Sequence, residues 1–193
     1  PNPDANDYFG NALALSGDGS TLAIGADGES SNHTGTYSIM PATNNLASSA
    51  GAVYVYTRSG AVWSQQAFIK APNAFASDLF GSTVRLSTNG DTLAVAAYYE
   101  SADLTGTHGN GAYFASGAAH VFTRVGGAWS AQGYLKASNA GSGDYFGIAL
   151  AISGSGDTVA VGAFFEQSAS AVTPADNSLS SAGAVYVFQR TGA

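Results

Sequence analysis

A tandem repeat constrains this chain more than any other feature. Asp7-Tyr8-Phe9-Gly10 returns as Asp78-Leu79-Phe80-Gly81 and again as Asp144-Tyr145-Phe146-Gly147. Each copy leads into an alternating run (residues 11–16, 82–87 and 148–153), a short Gly-containing turn, and a second run (21–26, 92–97 and 158–163). After a longer polar segment comes Gly-Ala-Val-Tyr-Val-Tyr-Thr-Arg at 51–58, with counterparts at 117–124 and 183–190. A segment opening on Trp-Ser closes the first two copies, near 62–71 and 128–137. Arg58, Arg124 and Arg190 stand 66 residues apart, but Phe9 and Phe80 stand 71 apart, so five extra residues lie between Ala26 and Gly51. A fixed period of this kind means one supersecondary unit used several times.

Each unit reads as four short antiparallel strands. Apolar residues alternate with a period of two, β-branched and aromatic residues are frequent, and Gly, Asp, Asn or Ser turns recur every ten or so residues. Four such strands in tandem are the pattern of β-propeller blades, so the expectation is an all-β chain, 1–193, forming one repeat domain. Its units are 1–71, 72–137 and 138–193, the third lacking its fourth strand. The first two runs form a hairpin through Gly19, Gly90 and Gly156, where positive φ is needed. Leu13/Leu15, Val84/Leu86 and Leu150/Ile152 fall on one face, and Ala12/Ala14 and Ala149/Ala151 on the other, where small side chains let a neighbouring blade approach. The run Gly183 to Arg190 is left as an open apolar edge, which Pro1-Asn2-Pro3-Asp4 is unsuited to cover. A partial propeller, completed by further blades of the same polypeptide or by other copies, follows.

Composition removes several functions. The chain has 6 Lys+Arg against 13 Asp+Glu, a formal net charge of -7 and only two lysines, Lys70 and Lys136. Phosphate neutralisation needs clustered cations, so nucleic acid is not the partner, and an anionic membrane surface is disfavoured for the same reason. There is no cysteine, which excludes disulfides and thiolate chemistry. The longest apolar runs are far short of a membrane span.

Phe9-Gly10 with Gly25-Ala26, and Phe146-Gly147 with Gly162-Ala163, resemble the FG-GAP repeat; the second copy has Phe80-Gly81 with Ala96-Ala97. The repeat is best known from the seven-bladed propeller head of integrin α chains and is abundant in bacterial exported proteins. The bacterial type, with its Gly-Ala-Val-Tyr-Val-Phe and Trp-Ser-x-Gln strands, is the nearer likeness. The closing Pro of the pattern is replaced by Asp27, Tyr98 and Phe164. The resemblance implies a propeller fold and an extracellular or cell-surface binding module, a mature exported protein. It also implies calcium in some first hairpins, but the turns here (17–20, 88–91 and 154–157) are too short and carry too few oxygens to wrap a cation, so no metal or other cofactor is expected.

A repeated polar set comes next. Asp7, Asp78 and Asp144 precede the Phe-Gly, and Glu29, Glu100 and Glu166 follow the second run, both at one end of the unit. A catalytic pair occurs once, whereas this one occurs in every copy, so the reading is structural, with Arg58, Arg124 and Arg190 or backbone amides as partners. Trp63 and Trp129 share one slot of the fourth strand, which reads as core or blade edge. His120 replaces Tyr54 and Tyr186 as a packing or hydrogen-bonding substitute, and His33 and His108 lie in separate loops without metal-ligand spacing. Arg85 breaks the small-residue pattern of Ala14 and Ala151; it either holds an anion in a central channel or, preferably, pairs with a carboxylate.

No nucleophile elbow, phosphate loop or zinc-helix motif is present, so an enzyme is not expected. What varies between copies are the loops 27–50, 98–116 and 164–182. They carry Tyr37, Met40, Tyr98, Tyr99, Tyr113, Phe114, Phe164 and Phe165, to which His108 is added as a candidate ligand contact. Loops on a rigid scaffold are where recognition resides. The alternative is that these rings pack the loops down. The expected function is a non-enzymatic adhesion module presenting those loops to a protein or glycan; the other reading is a self-assembling surface or filament protein.

Overall fold

The computed structural model describes residues 4–42, 44–109, 113–168 and 177–191. Thr43, residues 110–112 of the second variable loop, residues 169–176 of the third, and the extreme termini (including Pro1 and Pro3) lie outside the described residues. The described chain has no α-helix and forms twelve β-strands in three antiparallel sheets. The first blade contains β1 (Ala12–Leu15), β2 (Thr21–Ala26), β3 (Gly35–Tyr37), β4 (Ala52–Ser59) and β5 (Val62–Lys70), in the order β1-β2-β4-β5-β3. The second contains β6 (Thr83–Leu86), β7 (Thr92–Ala97), β8 (Ala118–Val125) and β9 (Ala128–Leu135), in that order. The third contains β10 (Phe146–Ile152), β11 (Thr158–Ala163) and β12 (Ala184–Gln189).

The expectation of four strands per unit needs one correction. The extra residues of the first loop form β3, which pairs with the outer strand through Gly35↔Lys70 and Tyr37↔Phe68. That added strand covers the edge of the first blade and leans on the second, where the Thr36 hydroxyl donates to the Trp129 carbonyl at 2.8 Å. In the third blade β12 pairs only with β11 among the described residues. A hollow of about 260 Å³ beside it, lined by Val121, Gln132, Leu135, Phe188 and Arg190, stands where Trp129 sits on the equivalent residues one blade earlier.

The hairpin turns follow from local chemistry. Gly19, Gly90 and Gly156 have φ of 67°, 73° and 80°, the left-handed region that a β-carbon disfavours. The amide of each closes the turn onto Ser16, Ser87 or Ser153 at 2.9 Å, and the hydroxyls of those serines accept from the amides of Thr21, Thr92 and Thr158. These bonds fix the register Leu13↔Ile24 and its counterparts Val84↔Val95 and Leu150↔Val161.

Blades stack large face on small face. Val84, Leu93, Val95 and Phe122 of the second blade pack on Ala23, Val53, Val55, Ala67 and Ile69 of the first, with Ala12 and Ala14 at the margin. Leu150, Val159 and Val161 of the third pack in the same way on Ala94, Ala96, Ala119 and Val121 of the second. The core is therefore between sheets, two layers deep at each junction, and the alternation along each strand decides which way each blade leans. Phe80 and Phe146 are fully buried at these junctions. Truncating either to Ala removes a fully buried ring from its junction, a loss on the order of 3–5 kcal/mol.

Candidate functional site

One end of the stack is built from the Phe-Gly corner of one blade laid against the loop entering the third strand of the blade before it. The amides of Gly143, Tyr145 and Phe146 donate to the carbonyls of Phe114, Ala115 and Ser116 at 2.8, 3.2 and 3.0 Å. Tyr145 and Ala115 hold φ of 53° and 49°, and the matching Leu79 and Ser49 hold 58° and 52°. The same unusual backbone is thus present at both junctions, enforced by interblade hydrogen bonds. It holds the residue before each Phe up at the surface.

On this shared backbone the two junctions carry different side chains. At the second junction, Tyr99 stacks on Tyr145 with centroids 5.9 Å apart and planes at 20°. Tyr98 meets both edge-on at 6.2 and 5.8 Å, and Phe114 meets Tyr99 edge-on at 5.3 Å. Phe165 abuts Tyr145 at 5.3 Å, and Phe164 abuts Phe165 at 4.7 Å. Six rings form one connected ledge, with Phe114 and Phe164 exposed. Each such ring pair adds about 0.5–1.5 kcal/mol beyond area burial, so the ledge is rigid before any ligand arrives. The positions equivalent to Tyr98, Tyr99, Phe114 and Tyr145 at the first junction are Asp27, Gly28, Ser48 and Leu79. Burial raises the Tyr98 phenol above its usual range, with Asp27, Tyr145 and Tyr99 adding to the effect, so it is a neutral hydroxyl at physiological pH.

Of the expected ligand contacts, the structure therefore brings Tyr98, Tyr99, Phe114, Phe164 and Phe165 together, and adds Tyr145. Tyr113 is half-buried, next to Phe114 in the chain. Tyr37 stands apart from the ledge: it is half-buried and packed onto Phe68 at 6.3 Å and His33 at 5.8 Å, where β3 places it beside the first blade's outer strand. His108 stands apart as well. It stacks on Phe75 at 4.7 Å and its Nε2 lies 3.1 Å from Asp78, facing inward. Burial opposes its charge, but the hydrogen bond and charge of Asp78 outweigh that and raise its pKa.

The repeated acids sit beneath this end. Glu29 is buried and takes the Lys70 ammonium at 2.5 Å. Glu100 accepts from the Tyr134 hydroxyl at 2.5 Å, lies 3.3 Å from His120 Nε2, and receives Lys136 and Asn73 at 3.4 Å each. Burial alone would raise the Glu100 carboxyl, yet His120, Lys136 and Tyr134 together hold it down at about 2. Glu166 takes Asn139 at 2.7 Å and the Ser168 amide at 3.0 Å. Asp7, Asp78 and Asp144 accept the amides of Asp4, Phe75 and Gly141, capping the turn before each Phe-Gly. Burial raises all three.

The expectation that Arg58, Arg124 and Arg190 serve these acids is overturned. The third strand of each blade runs antiparallel to the second, with Thr57↔Thr21 in register, which carries the arginine to the hairpin turn. At ~3.4 Å per residue, the six residues of β2 put that turn ~20 Å from Glu29. There Arg124 Nε donates to Asp91 at 2.8 Å, Nη1 donates to Gln66 at 3.1 Å, and the guanidinium lies 5.4 Å over Trp129. Arg190 binds Asp157 and donates to Gln132 at 3.1 Å. Arg58 reaches the carbonyls of Gly19 and Gly60 at 3.0 Å and lies over Trp63 at 5.9 Å. Lys70 and Lys136 fill the role assigned to the arginines at Glu29 and Glu100, and Asn139 donates to Glu166 instead. Arg85 is corrected as well: it is exposed and its Nη1 donates to the Val84 carbonyl at 2.8 Å rather than to a carboxylate.

At the hairpin turns, Asp18 accepts from the Ser16 and Ser20 hydroxyls at 2.6 and 2.8 Å, so its carboxylate is already occupied, and its pKa falls to about 2 on account of Ser16 and Ser20. Among the described residues no group of three or more His, Asp or Glu is arranged to hold a metal ion.

The family model of the FG-GAP repeat matches residues 63–122 and 129–188, more than half of the chain. The chain belongs to the FG-GAP repeat family. Each match opens near the start of an outer strand, β5 or β9, and ends within the third strand of the following blade, so the family's repeat straddles two sheets. No curated protein matches the chain. FG-GAP repeats are typical of extracellular or surface binding and adhesion modules.

Proposed function

We propose that this FG-GAP repeat chain is a non-enzymatic, extracellular or cell-surface recognition module that binds a protein or glycan through the aromatic ledge at its second blade junction. One observation carries the reading: six rings are gathered at a single junction, and the first junction repeats its backbone with Asp27, Gly28, Ser48 and Leu79 at four of their positions. Core-forming residues recur in every blade, because every blade needs them. Rings that the first junction lacks, partly exposed and braced against one another, serve something outside the stack. Tyr and Phe supply large rigid contact area at little cost in conformational entropy, the property of strong recognition residues. No cation stands among the ledge residues, which fits an uncharged ligand surface, a sugar face or an apolar protein patch.

The test is a panel of glycans and matrix proteins probed with the native chain and with Phe114→Ala and Phe164→Ala. Both side chains are exposed, so the variants keep the native β-rich circular dichroism and melting temperature. A ligand lost by both variants supports the ledge. A ligand held equally by both variants places recognition elsewhere, and loss of folding would make the ledge a packing device.

A further inference from the structure

The turns that lead into the second and third blades each carry an asparagine, and the two asparagines are served differently. Ala71-Pro72-Asn73-Ala74 and Ala137-Ser138-Asn139-Ala140 close alike, the amides of Ala74 and Ala140 donating to the carbonyls of Ala71 and Ala137 at 3.1 Å. The corresponding third-strand residues are His120 and Tyr186, which hold one register, opposite Val95 and Val161. At the third blade the Tyr186 hydroxyl donates to Asn139 Oδ1 at 2.6 Å, and Asn139 donates to Glu166 at 2.7 Å. At the second blade Asn73 Nδ2 donates to Glu100 at 3.4 Å and to the Gly106 carbonyl at 3.2 Å. Both partners are acceptors, so the orientation of the amide is fixed. Its oxygen, Oδ1, is buried and accepts no hydrogen bond among the described residues. His120 has no hydroxyl to offer it and turns Nε2 to Glu100 instead, at 3.3 Å. A buried acceptor left without a donor is costly, and the next blade shows which group is missing: a phenol.

There is room for one. A hollow of about 300 Å³ is lined by Asn73 and His120 together with Pro72, Gly106, Ala131 and Tyr134. That volume is at the small end of ligand pockets and suits a single ring. Pro72 and the rings of His120 and Tyr134, with centroids 5.3 Å apart, give it apolar walls. Gly106 closes in on one side. With φ of 83° it lies so near that a β-carbon there would stand 3.4 Å from Asn73 Nδ2 and 3.6 Å from the Tyr134 ring. Among the described residues no Lys, Arg, Asp or Glu lines the hollow, so nothing there offsets the charge of a phenolate or a phosphate ester.

We propose that this hollow binds a neutral phenol, whose hydroxyl donates to Asn73 Oδ1 as that of Tyr186 donates to Asn139. Its source is a small free phenol or a tyrosine side chain of a partner protein, since both present the same ring and hydroxyl. The site shares no residue with the aromatic ledge, so the two stand or fall separately.

The side-chain amide of Asn73 and the imidazole of His120 report binding in NMR titrations of the native chain with p-cresol and with N-acetyl-tyrosinamide. Both signals are expected to shift. N-acetyl-phenylalaninamide, which lacks only the hydroxyl, should bind roughly tenfold more weakly or worse, because it leaves Oδ1 unpaired. Tighter binding of p-cresol points to a free phenol and tighter binding of the tyrosinamide to a side chain; either supports the site. His120→Tyr installs the hydroxyl that the next blade uses. Ala131→Trp, from an exposed position of β9 on the wall of the hollow, fills it without changing Asn73 or His120. Each variant should keep the native circular dichroism and lose roughly tenfold or more in phenol affinity. Should His120→Tyr fail to fold, Ala131→Trp decides. Four results overturn the proposal: no shift at millimolar phenol, equal binding of the phenylalanine amide, filled variants that bind as the native chain does, or shifts confined to Tyr98, Tyr99 and Phe114.

Discussion

Lys70 and Lys136 occupy one repeat position, yet their removal should have very different effects. Lys70 is fully buried and supplies Glu29 with its cation at 2.5 Å; the Ser31 amide also donates to that carboxylate, at 3.2 Å. Burial lowers the Lys70 pKa, and Glu29 is the charge that holds the ammonium protonated. Replacing Lys70 by Met leaves a buried carboxylate without a counter-charge, a loss of roughly 3–5 kcal/mol. For a domain of this size that lowers Tm by roughly 6–20 °C. Glu100 is better served. Without Lys136 it keeps the Tyr134 hydroxyl, His120 and Asn73, so Lys136→Met removes one long charged hydrogen bond and costs about 1.5 kcal/mol. Urea unfolding followed by circular dichroism at neutral pH measures both. Adding Glu29→Gln to Lys70→Met removes the stranded charge and should recover most of the loss. Equal losses for the two lysines, or no recovery in the double variant, would refute the claim that counter-charge rather than side-chain packing sets the cost.

The remaining predictions concern pH, the hairpin end and metal. His108 has its pKa raised in the folded chain, so the stability it contributes is fully present below its unfolded value near 6.5 and is lost as pH rises through the folded value; His108→Gln should flatten the stability curve between about pH 6 and 8. A curve with the same slope in wild type and variant would sink this assignment. Arg124→Ala removes the bonds to Asp91, Gln66 and Thr21 and the contact over Trp129, and should cost about 1–2 kcal/mol, against about 0.5 or less for Arg58→Ala, whose partners are two surface carbonyls. Thermal melts of the two variants rank them, and the reverse order would count against the interblade role of Arg124. Because the Asp18 carboxylate is already taken up by Ser16 and Ser20, EDTA should leave the melting temperature in place; a drop of many degrees would mean that a cation belongs to the fold.

The strands and their order within each blade were legible in the sequence because a repeat reports its own boundaries, and period-two alternation named the two faces of every strand. Val84 and Leu150 on one side and Ala12 and Ala14 on the other became the large-on-small stacking of the blades. The partners of the acids were not legible. Their position at one end of a strand says nothing about which residue of the next strand returns to that end, and the arginines are carried away by the antiparallel register that brings Lys70 and Lys136 in. His108 and Asp78 are thirty residues apart and meet through a loop whose course no periodicity encodes. Tyr145 was overlooked for a different reason: Tyr8 and Leu79 fill the same slot, so it read as a repeated corner residue. The useful signal lay in its neighbours, since Asp27-Gly28, Tyr98-Tyr99 and Phe164-Phe165 are equivalent pairs and only the last two are aromatic.

That comparison separates what a repeat needs from what this chain adds to it. Three copies of one unit give three nearly superimposable environments, so any side chain kept in all three is explained by stacking the units. Side chains that differ at equivalent positions are freed from that requirement. Among the described residues two clusters of such differences lie in or beside the second blade. One is the buried set of His108, His120 and Tyr134 around Asp78 and Glu100, where the first blade has Tyr54 and Phe68 in the slots of His120 and Tyr134. It faces inward, its charges are mutually compensated, and it holds the second loop against the blade. The other is the ledge from Tyr98 to Phe165, which faces outward and has no internal requirement to meet. The first fixes the loop from which Phe114 projects; the second uses that position. Loosening the inner set through Tyr134→Phe, which deletes a hydrogen bond to the Asp103 carbonyl as well as the one to Glu100, should therefore weaken ligand binding at the ledge without touching any of its rings. Unchanged affinity in that variant would show that the two sets act independently.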